Sequence, residues 1–388
     1  MICRKIISSG GIIRLINLAV FFGGESCEHD ISIITGLQLI SKVNEYLYNV
    51  IPIYITKSGD WITGLNLKDI DNFPDNLGKT KNVGLIAGSP DLYVKHKNKL
   101  KKYLTIDVAI ICLHGINGED GNVAGILNLS KVPYSSCDIL SSAICMDKII
   151  FDDLCRGLDL PKVPYLSIIK DDYNENSVDI LNKIKTFGFP IIIKPSRQGS
   201  SIGIKICKSE ESLENDLKEC FNYDERLLIE KFVDLKKEVN IACFRNKGEI
   251  MFSKTEEPIS KSDFLDFNDK YTSNLSGMES MKRISPANIL AETESKIKTI
   301  AQFLYIELDM FGVVRFDFMI DKEDNVYINE VNTIPGSMAN YLFGESYPYT
   351  KLIEDMISNA LIRFNSKSKL QRDYNSNVLK QGFNGFKK

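Results

Sequence analysis

The sequence predicts an α/β protein of more than one unit, and three observations carry that prediction. Over the first third of the chain, strand-like apolar runs (INLAVFF, YNVIPIYI, DVAIICLHG) alternate with helical or looped stretches, as in an open sheet covered by helices. Further on, two apolar runs flank the polar cluster Lys322-Glu323-Asp324-Asn325, a hairpin signature. With 388 residues, 44% of them hydrophobic, the chain has length for two or three domains and material for their cores.

The elements follow in order. Residues 1–15 are expected to form a loosely ordered leader. Arg14 interrupts the early apolar run and no small-residue cleavage site follows, so the stretch from Ile16 to Phe22 reads as a first buried strand rather than part of a signal peptide. Residues 16–136 form the open α/β unit, within which the polar, Lys/Asn-rich stretch 65–104 is expected to be a helix–loop excursion. Residues 137–229 form a smaller unit, the helix SSAICMDKIIFDDLCRG followed by two strands joined through a Gly/Ser loop, PIIIKPSRQGSSIGIKIC. Residues 230–365 hold the hairpin and an amphipathic helix with Leu352, Ile353, Met356, Ile357, Ala360, Leu361 and Phe364 at 3–4 spacing. Residues 366–388 read as a polar tail.

Composition excludes several classes. A net charge of −3 and a pI near 5.8 argue against a nucleic-acid partner. No run of eighteen apolar residues exists to span a membrane. Nine cysteines form no CxxC pair and sit mostly in apolar strings, so they read as reduced, buried small hydrophobes of a cytosolic protein. Three histidines are too few for a His-rich zinc site.

The hairpin carries the chemistry. Side chains alternate along a strand, which puts Arg315 and Asp317 on one face and Val314, Phe316, Phe318 and Ile320 on the other, while Ile328, Glu330 and Asn332 share a face. With Asp321 and Val326 closing the turn, Asp317 falls opposite Glu330 and Arg315 opposite Asn332. Two carboxylates and an amide oxygen beside a guanidinium suit a hard cation carrying phosphate, such as Mg²⁺. A solvated surface hairpin is the ordinary reading of such a cluster. Here the charges lie inside apolar strands and run into Asn-Thr-Ile-Pro-Gly, which favours a site.

Other segments add weaker signals. In the loop from Lys194 to Gly203, backbone N–H groups can cradle phosphate oxygens beside the lysine, although a flexible hairpin explains the same composition. The loop is not a P-loop, because the lysine precedes the glycines. Leu228-Ile-Glu-Lys-Phe-Val233 offers strand backbone to a base and acceptors in Glu230 and Glu238, or is simply an ordinary strand. FGGESCEHDIS and LHGINGEDG each follow a strand, where α/β sheets bind ligands, and His114 sits at such a strand end.

In their order, GGESCEHDIS, LHGINGEDG, MDK (146–148), KPSRQGSSIG, LIEKF, DKY (269–271), RFD (315–317) and NEVNTIPG (329–336) resemble the D-alanine–D-alanine ligases of the ATP-grasp superfamily, over about residues 16–365. The resemblance implies a three-domain ATP-grasp fold, an N-terminal open α/β (pre-ATP-grasp) domain plus two α+β subdomains clamping ATP. It implies ATP-dependent ligation of two D-alanines through an acyl phosphate, releasing ADP and phosphate, for peptidoglycan precursor synthesis. ATP, two Mg²⁺ ions (or Mn²⁺ in their place), a cytoplasmic location and a homodimer complete the expectation.

The same resemblance distributes roles. Glu28 would hold the ammonium of the first D-alanine, with His114 near its carboxylate, and Ser200 and Tyr271 would join Glu28 in a hydrogen-bonded triad. Lys148 and Lys194 would contact nucleotide phosphates and Lys270 the γ-phosphate. Glu230, Lys231, Val233 and Glu238 would line the adenosine pocket. Asp317, Glu330 and Asn332 would ligate Mg²⁺, while Arg315 and the Gly336 N–H would stabilise the tetrahedral intermediate. Residues 255–275 would form a lid. Departures from the family pattern concern substrate: Tyr341-Leu342 stands where a Ser-Leu pair usually meets the second substrate, Gln198 where an acid is usual and Ala124 where glutamine is usual, and the linker between Glu230 and Glu238 is one residue longer than usual. The alternatives are a related ligase joining a different second amino acid or hydroxy acid, and a dead ATP-binding protein. Retention of Arg315, Asp317, Glu330 and Asn332 speaks against the last.

Overall fold

The computed structural model describes residues 14–97, 99–259 and 282–371. Three sheets organise the chain. The first has eight strands in the order β6-β5-β4-β3-β2-β1-β7-β8: β1 (Ile16–Gly23), β2 (Tyr48–Ile55), β3 (Trp61–Thr63), β4 (Lys81–Ile86), β5 (Ser89–His96), β6 (Lys99–Thr105), β7 (Val108–Ile111) and β8 (Tyr134–Ser135). β2, β1, β7 and β8 pair in parallel, and β1 and β7 are buried along almost their whole length. Helices on both faces produce that burial, so these strands are apolar throughout instead of alternating. The covering helices are α1 (His29–Lys42) and α2 (Asn122–Leu129).

The stretch read as a helix–loop excursion is instead mostly strand. β3 extends the sheet antiparallel to β2, and after two short 3₁₀ turns β4 to β6 continue it as antiparallel strands. β6 (KLKKYLT) is largely exposed. A lysine-rich edge strand buries little and lacks a clear apolar alternation, so the usual signal is faint, and the charge blunts edge-to-edge pairing.

The second sheet, antiparallel in the order β11-β10-β12-β9, comprises β9 (Tyr165–Ile169), β10 (Ile191–Pro195), β11 (Lys205–Cys207) and β12 (Arg226–Lys231). Before β9 the chain forms α3 (Ile139–Met146) and α4 (Lys148–Gly157), and between the strands of this sheet α5 (Lys170–Lys185) and α6 (Glu210–Cys220). Only α5 and α6 share the core of this sheet, through Tyr173, Ile184, Leu213 and Leu217. The third sheet, in the order β14-β13-β17-β18, joins β13 (Leu235–Asn246), β14 (Glu249–Phe252), β17 (Val314–Asp321) and β18 (Val326–Asn332). A two-stranded ribbon, β15 (Glu257–Pro258) with β16 (Arg283–Ile284), stands beside it.

Core packing cuts across chain order. α3 and α4 bury Cys145, Phe151 and Cys155 against the third sheet, together with α7 (Ala291–Glu307). α8 (Tyr349–Ser368) sends Leu352, Ile353, Met356, Ile357 and Ala360 into the core of the first sheet. The apolar stripe was visible in the sequence, but not the surface it meets. That helix also runs three residues into the stretch read as a tail. Among the described residues seven cysteines are buried and unpaired, and Cys27 is exposed. No described helix is long and apolar enough to cross a membrane.

Candidate active site

The β17–β18 hairpin pairs Asp317 with Glu330 and Arg315 with Asn332, the register expected from the sequence. The turn does not close as expected, however. Ile320, not Asp321, faces Val326, and a bulge between Asp317 and Phe318 absorbs the extra residue. Asn329 occupies the bulge: its carbonyl accepts from Lys162 Nζ at 2.9 Å and its side-chain oxygen from Lys194 Nζ at 3.4 Å. Arg315 Nε and Nη2 each donate to Asp317 at 2.7 Å, a bidentate pair, and Asn332 Nδ2 donates to the same carboxylate at 3.0 Å.

Two clefts meet on this hairpin. The first, about 1000 Å³ including its open mouth, is bounded by the second and third sheets, with Lys148, Lys194, Glu238, Asp317 and Phe318 among its walls. The second, about 750 Å³, runs between the first and third sheets past Glu28, His114, Glu119, Asn332 and Gly336. Lys148, Ser200, Arg315 and Glu330 line both. An anion extended along the first cleft thus ends at the mouth of the second.

Local structure sets the lysines. Asp147 caps α4, accepting from the Ile149 and Ile150 N–H at 3.1 and 3.2 Å, and is held by Ser196 Oγ and Arg226. Lys148 therefore starts the helix and donates to the Gln198 carbonyl at 2.5 Å. Lys194, on β10, pairs with Glu230 on β12 at 2.5 Å, both buried. This pairing turns Glu230 inward. Lys231 is exposed, Val233 is half-buried, and neither they nor Glu230 line the first cleft, whereas Glu238 does.

The loop after β10 carries Ser200 at φ +50°, and its hydroxyl donates to Glu28 Oε1. Close approach is possible because Gly199 has no side chain: a Cβ there would lie 2.6 Å from Glu28 Oε2. His114 is buried and shares a 2.8 Å hydrogen bond with Thr35; burial lowers its pKa to about 4, so it is neutral. Gly336 opens a left-handed turn at Ser337, Met338 and Ala339, tied to α1 by Ser337 N–H to Thr35 Oγ1 and Ser337 Oγ to Gln38.

Sequence reasoning did not single out Glu119, although it lies in the GEDG segment. Its carboxyl group accepts the Gly115 N–H at 2.9 Å and faces the second cleft. Burial first, then the Glu28 and Glu330 charges, push its pKa up to about 8. Asn329, Lys162 and Arg283 were missed too; Asn329 opens the NEVNTIPG segment without having been given a role there, and the other two lie in no quoted motif. Tyr341 lines neither cleft. It stands behind Arg315, whose Nη1 donates to the phenol at 3.4 Å, and Leu342 lies in the core of the first sheet. Lys270 and Tyr271, with most of the expected lid, lie outside the described residues.

Asp317, Glu330 and Asn332 could hold a hard divalent cation. Among the described residues no three His, Cys, Asp or Glu side chains converge on one point. An incomplete protein cage suits Mg²⁺, which draws other ligands from water and phosphate.

Comparison with known proteins agrees with this geometry. Family models described as D-ala D-ala ligase N-terminus and C-terminus match residues 17–137 and 154–358. A D-alanine–D-alanine ligase of Thermosipho africanus is 38% identical over 358 residues, 91% of this chain and 95% of that one. The crystal structure of D-alanyl-alanine synthetase A from Vibrio cholerae shares the fold, with a TM-score of 0.77 at 23% identity, over 90% of this chain and all of that one. The VanG D-Ala:D-Ser ligase from Enterococcus faecalis superposes with a TM-score of 0.75 at 26% identity, over 89% of this chain and all of that one. On these grounds the chain belongs to the D-alanine–D-alanine ligase family, with its ATP-grasp fold and ATP-dependent ligation.

Proposed function

We propose that the chain joins two D-alanines in the two clefts, and that one observation carries the residue roles: the clefts meet at Lys148, Arg315 and Glu330. ATP would lie in the first cleft with its phosphates toward Lys148 and Lys194. The first D-alanine would lie in the second, its ammonium at Glu28 and its carboxylate near His114. A carboxylate is a poor electrophile, so phosphoryl transfer must activate it, and that transfer is positioning plus charge neutralisation. Mg²⁺, when bound by Asp317, Glu330 and Asn332, supplies further neutralising charge. The second amine then attacks the acyl carbon, and as the C–N bond forms the C–O bond to phosphate breaks, releasing inorganic phosphate and the amine's proton. Arg315 and the Gly336 N–H, both on the second cleft, would meet the oxyanion. Because an acyl phosphate hydrolyses readily, walls that exclude water are needed.

The product is a precursor for cell-wall peptidoglycan, made in the cytoplasm by a homodimer. The decisive experiment is phosphate release from ATP and Mg²⁺ across D- and L-amino acids and D-hydroxy acids. D-alanine alone should support turnover. Turnover with D-alanine only when D-serine or a hydroxy acid is added would replace the second substrate, and no turnover with D-alanine would overturn the reading.

A further inference from the structure

Arg283 opens β16 and reaches across to the reaction centre from outside every motif noted above. Its guanidinium lies over the Tyr341 ring, 4.2 Å from the centroid. Nη1 pairs with Glu256 Oε2 at 3.2 Å, and Glu256 is itself fixed by the Asn240 side-chain amide at 3.0 Å. On the other side of the ring system, the phenol oxygen accepts from Arg315 Nη1, while Arg315 Nε and Nη2 are engaged by Asp317. One continuous stack therefore runs Glu256, Arg283, Tyr341, Arg315, Asp317. It joins the β15–β16 ribbon to the hairpin.

The chemistry of that stack is directional. A guanidinium over an aromatic face is attracted by the ring quadrupole, so Arg283 restrains the plane of Tyr341. A hydroxyl that accepts one hydrogen bond still has a proton to donate. Burial pushes the phenol up to about 12, so that proton stays in place. Glu256 and Asp317 match the two guanidiniums, so the assembly is close to neutral; Arg315 still has N–H hydrogens beyond those given to Asp317 and Tyr341, and these are what an arriving carboxylate would meet. Arg315 lies on both clefts, whereas Tyr341 lies on neither. The tyrosine thus acts through Arg315 and Arg283 acts through the tyrosine.

Resting on the ligase reading above, we propose that Arg283 is a positioning residue for the second amino acid: stacked on Tyr341, it holds the phenol against Arg315, and so fixes a guanidinium that, besides meeting the oxyanion, receives the incoming carboxylate. In this chain a tyrosine–arginine pair does from behind what a small hydroxyl residue does directly in the commoner pattern. Since Arg283 also borders the nucleotide cleft, the competing role is a direct contact to ATP.

Kinetics of the full chain that resolve the Michaelis constants for ATP and for each D-alanine decide between them. Arg283→Met should raise the second-site constant about tenfold and leave those for ATP and the first D-alanine within about twofold. Arg283→Lys, which keeps a cation, should recover most of the loss. In a Tyr341→Ala background, Arg283→Met should add less than about twofold, because the stack it serves is gone. Thermal unfolding and binding of a non-hydrolysable ATP analogue show that each variant is folded. An ATP constant that moves as much as the second-site constant, or a full Arg283 effect without Tyr341, overturns the proposal. So does an unchanged second-site constant in Arg283→Met while wild type turns over. If wild type forms no ADP with D-alanine, the ligase reading fails and this proposal with it.

Discussion

The two clefts share Lys148, Ser200, Arg315 and Glu330, yet their charges are arranged in opposite ways. Around the first cleft most deep cations already have a carboxylate, Lys194 with Glu230, Lys162 with Asp152, and Arg315 with Asp317, at 2.5, 2.5 and 2.7 Å, while Lys148 gives its hydrogen bond to the Gln198 carbonyl. In the second cleft Glu119 lies near two other carboxylates, Glu28 and Glu330, and burial first, then those two charges, raise its pKa well above the usual carboxylate range. A paired lysine brings almost no net charge to a triphosphate, so on the proposed reading the added neutralisation in the first cleft falls to Lys148 and a divalent cation. A cleft of crowded carboxyls is relieved by an ammonium. The proposed assignment of substrates to clefts therefore rests on the pairing pattern, not on the count of charged residues.

The largest effect should come from breaking the shared wall. Asp317→Asn and Glu330→Gln each remove a charge that the paired lysines cannot replace, and ADP formation with Mg²⁺ should fall at least about a thousandfold with the fold intact. Near-normal turnover in either variant would mean that the triphosphate is neutralised elsewhere.

Next comes the buried pair of the nucleotide cleft. Lys194→Met leaves Glu230 buried without its partner and should cost about 3 kcal/mol of stability in denaturant unfolding. Adding Glu230→Gln should return most of that stability, but not ATP affinity, because only the lysine faces the phosphates. If the double variant regains nucleotide binding, Lys194 is purely structural.

A smaller, cleaner contrast separates the clefts. Glu28→Gln should raise the Michaelis constant of the first D-alanine about tenfold to a hundredfold while that of ATP stays within about twofold. Equal effects on both substrates would mean that Glu28 acts by holding Ser200 and its loop.

These contrasts also mark what was legible beforehand. The hairpin was, because period-two alternation fixes faces, and the face that bears Arg315, Asp317, Glu330 and Asn332 is the one on the clefts. Its register came out right through two offsetting features: a turn one residue off and a bulge at Asn329 that alternation cannot reveal. Glu230 was placed on the right strand, but its side chain turns to Lys194, a choice made by a partner 36 positions away. Glu119 sat in a quoted motif and still escaped notice, since its surroundings come from Thr333 and Glu330, more than two hundred residues on. The lysine-rich strands β4 to β6 escaped for want of an apolar face. Local periodicity was readable; long-range electrostatics was not.

The smallest expected effect tests the crowding itself. Folded, Glu119 holds its proton to about pH 8, against an ordinary value of 4.5. Between those values the native state binds more protons than the unfolded one, so this group's contribution to stability falls as pH rises through that window and is level above it. His114 works the other way. Its folded value of about 4 lies below 6.5, so its contribution is present above the unfolded value and is lost as pH falls toward the folded one. Glu119→Gln keeps an acceptor for the Gly115 N–H and cannot ionise, which removes the first effect and leaves the second. Relative to wild type, the variant should therefore gain stability on going from near pH 5 to above about pH 8, by about 1 kcal/mol once solvent screening at the half-buried carboxyl cuts down the several kcal/mol of an unscreened shift, as read by unfolding at matched ionic strength. Saturating D-alanine should shrink that gain, because an ammonium between the carboxyls lets Glu119 ionise at lower pH. A stability difference that stays constant with pH would show Glu119 already ionised, and the amino-acid cleft would then be no more crowded with charge than its neighbour.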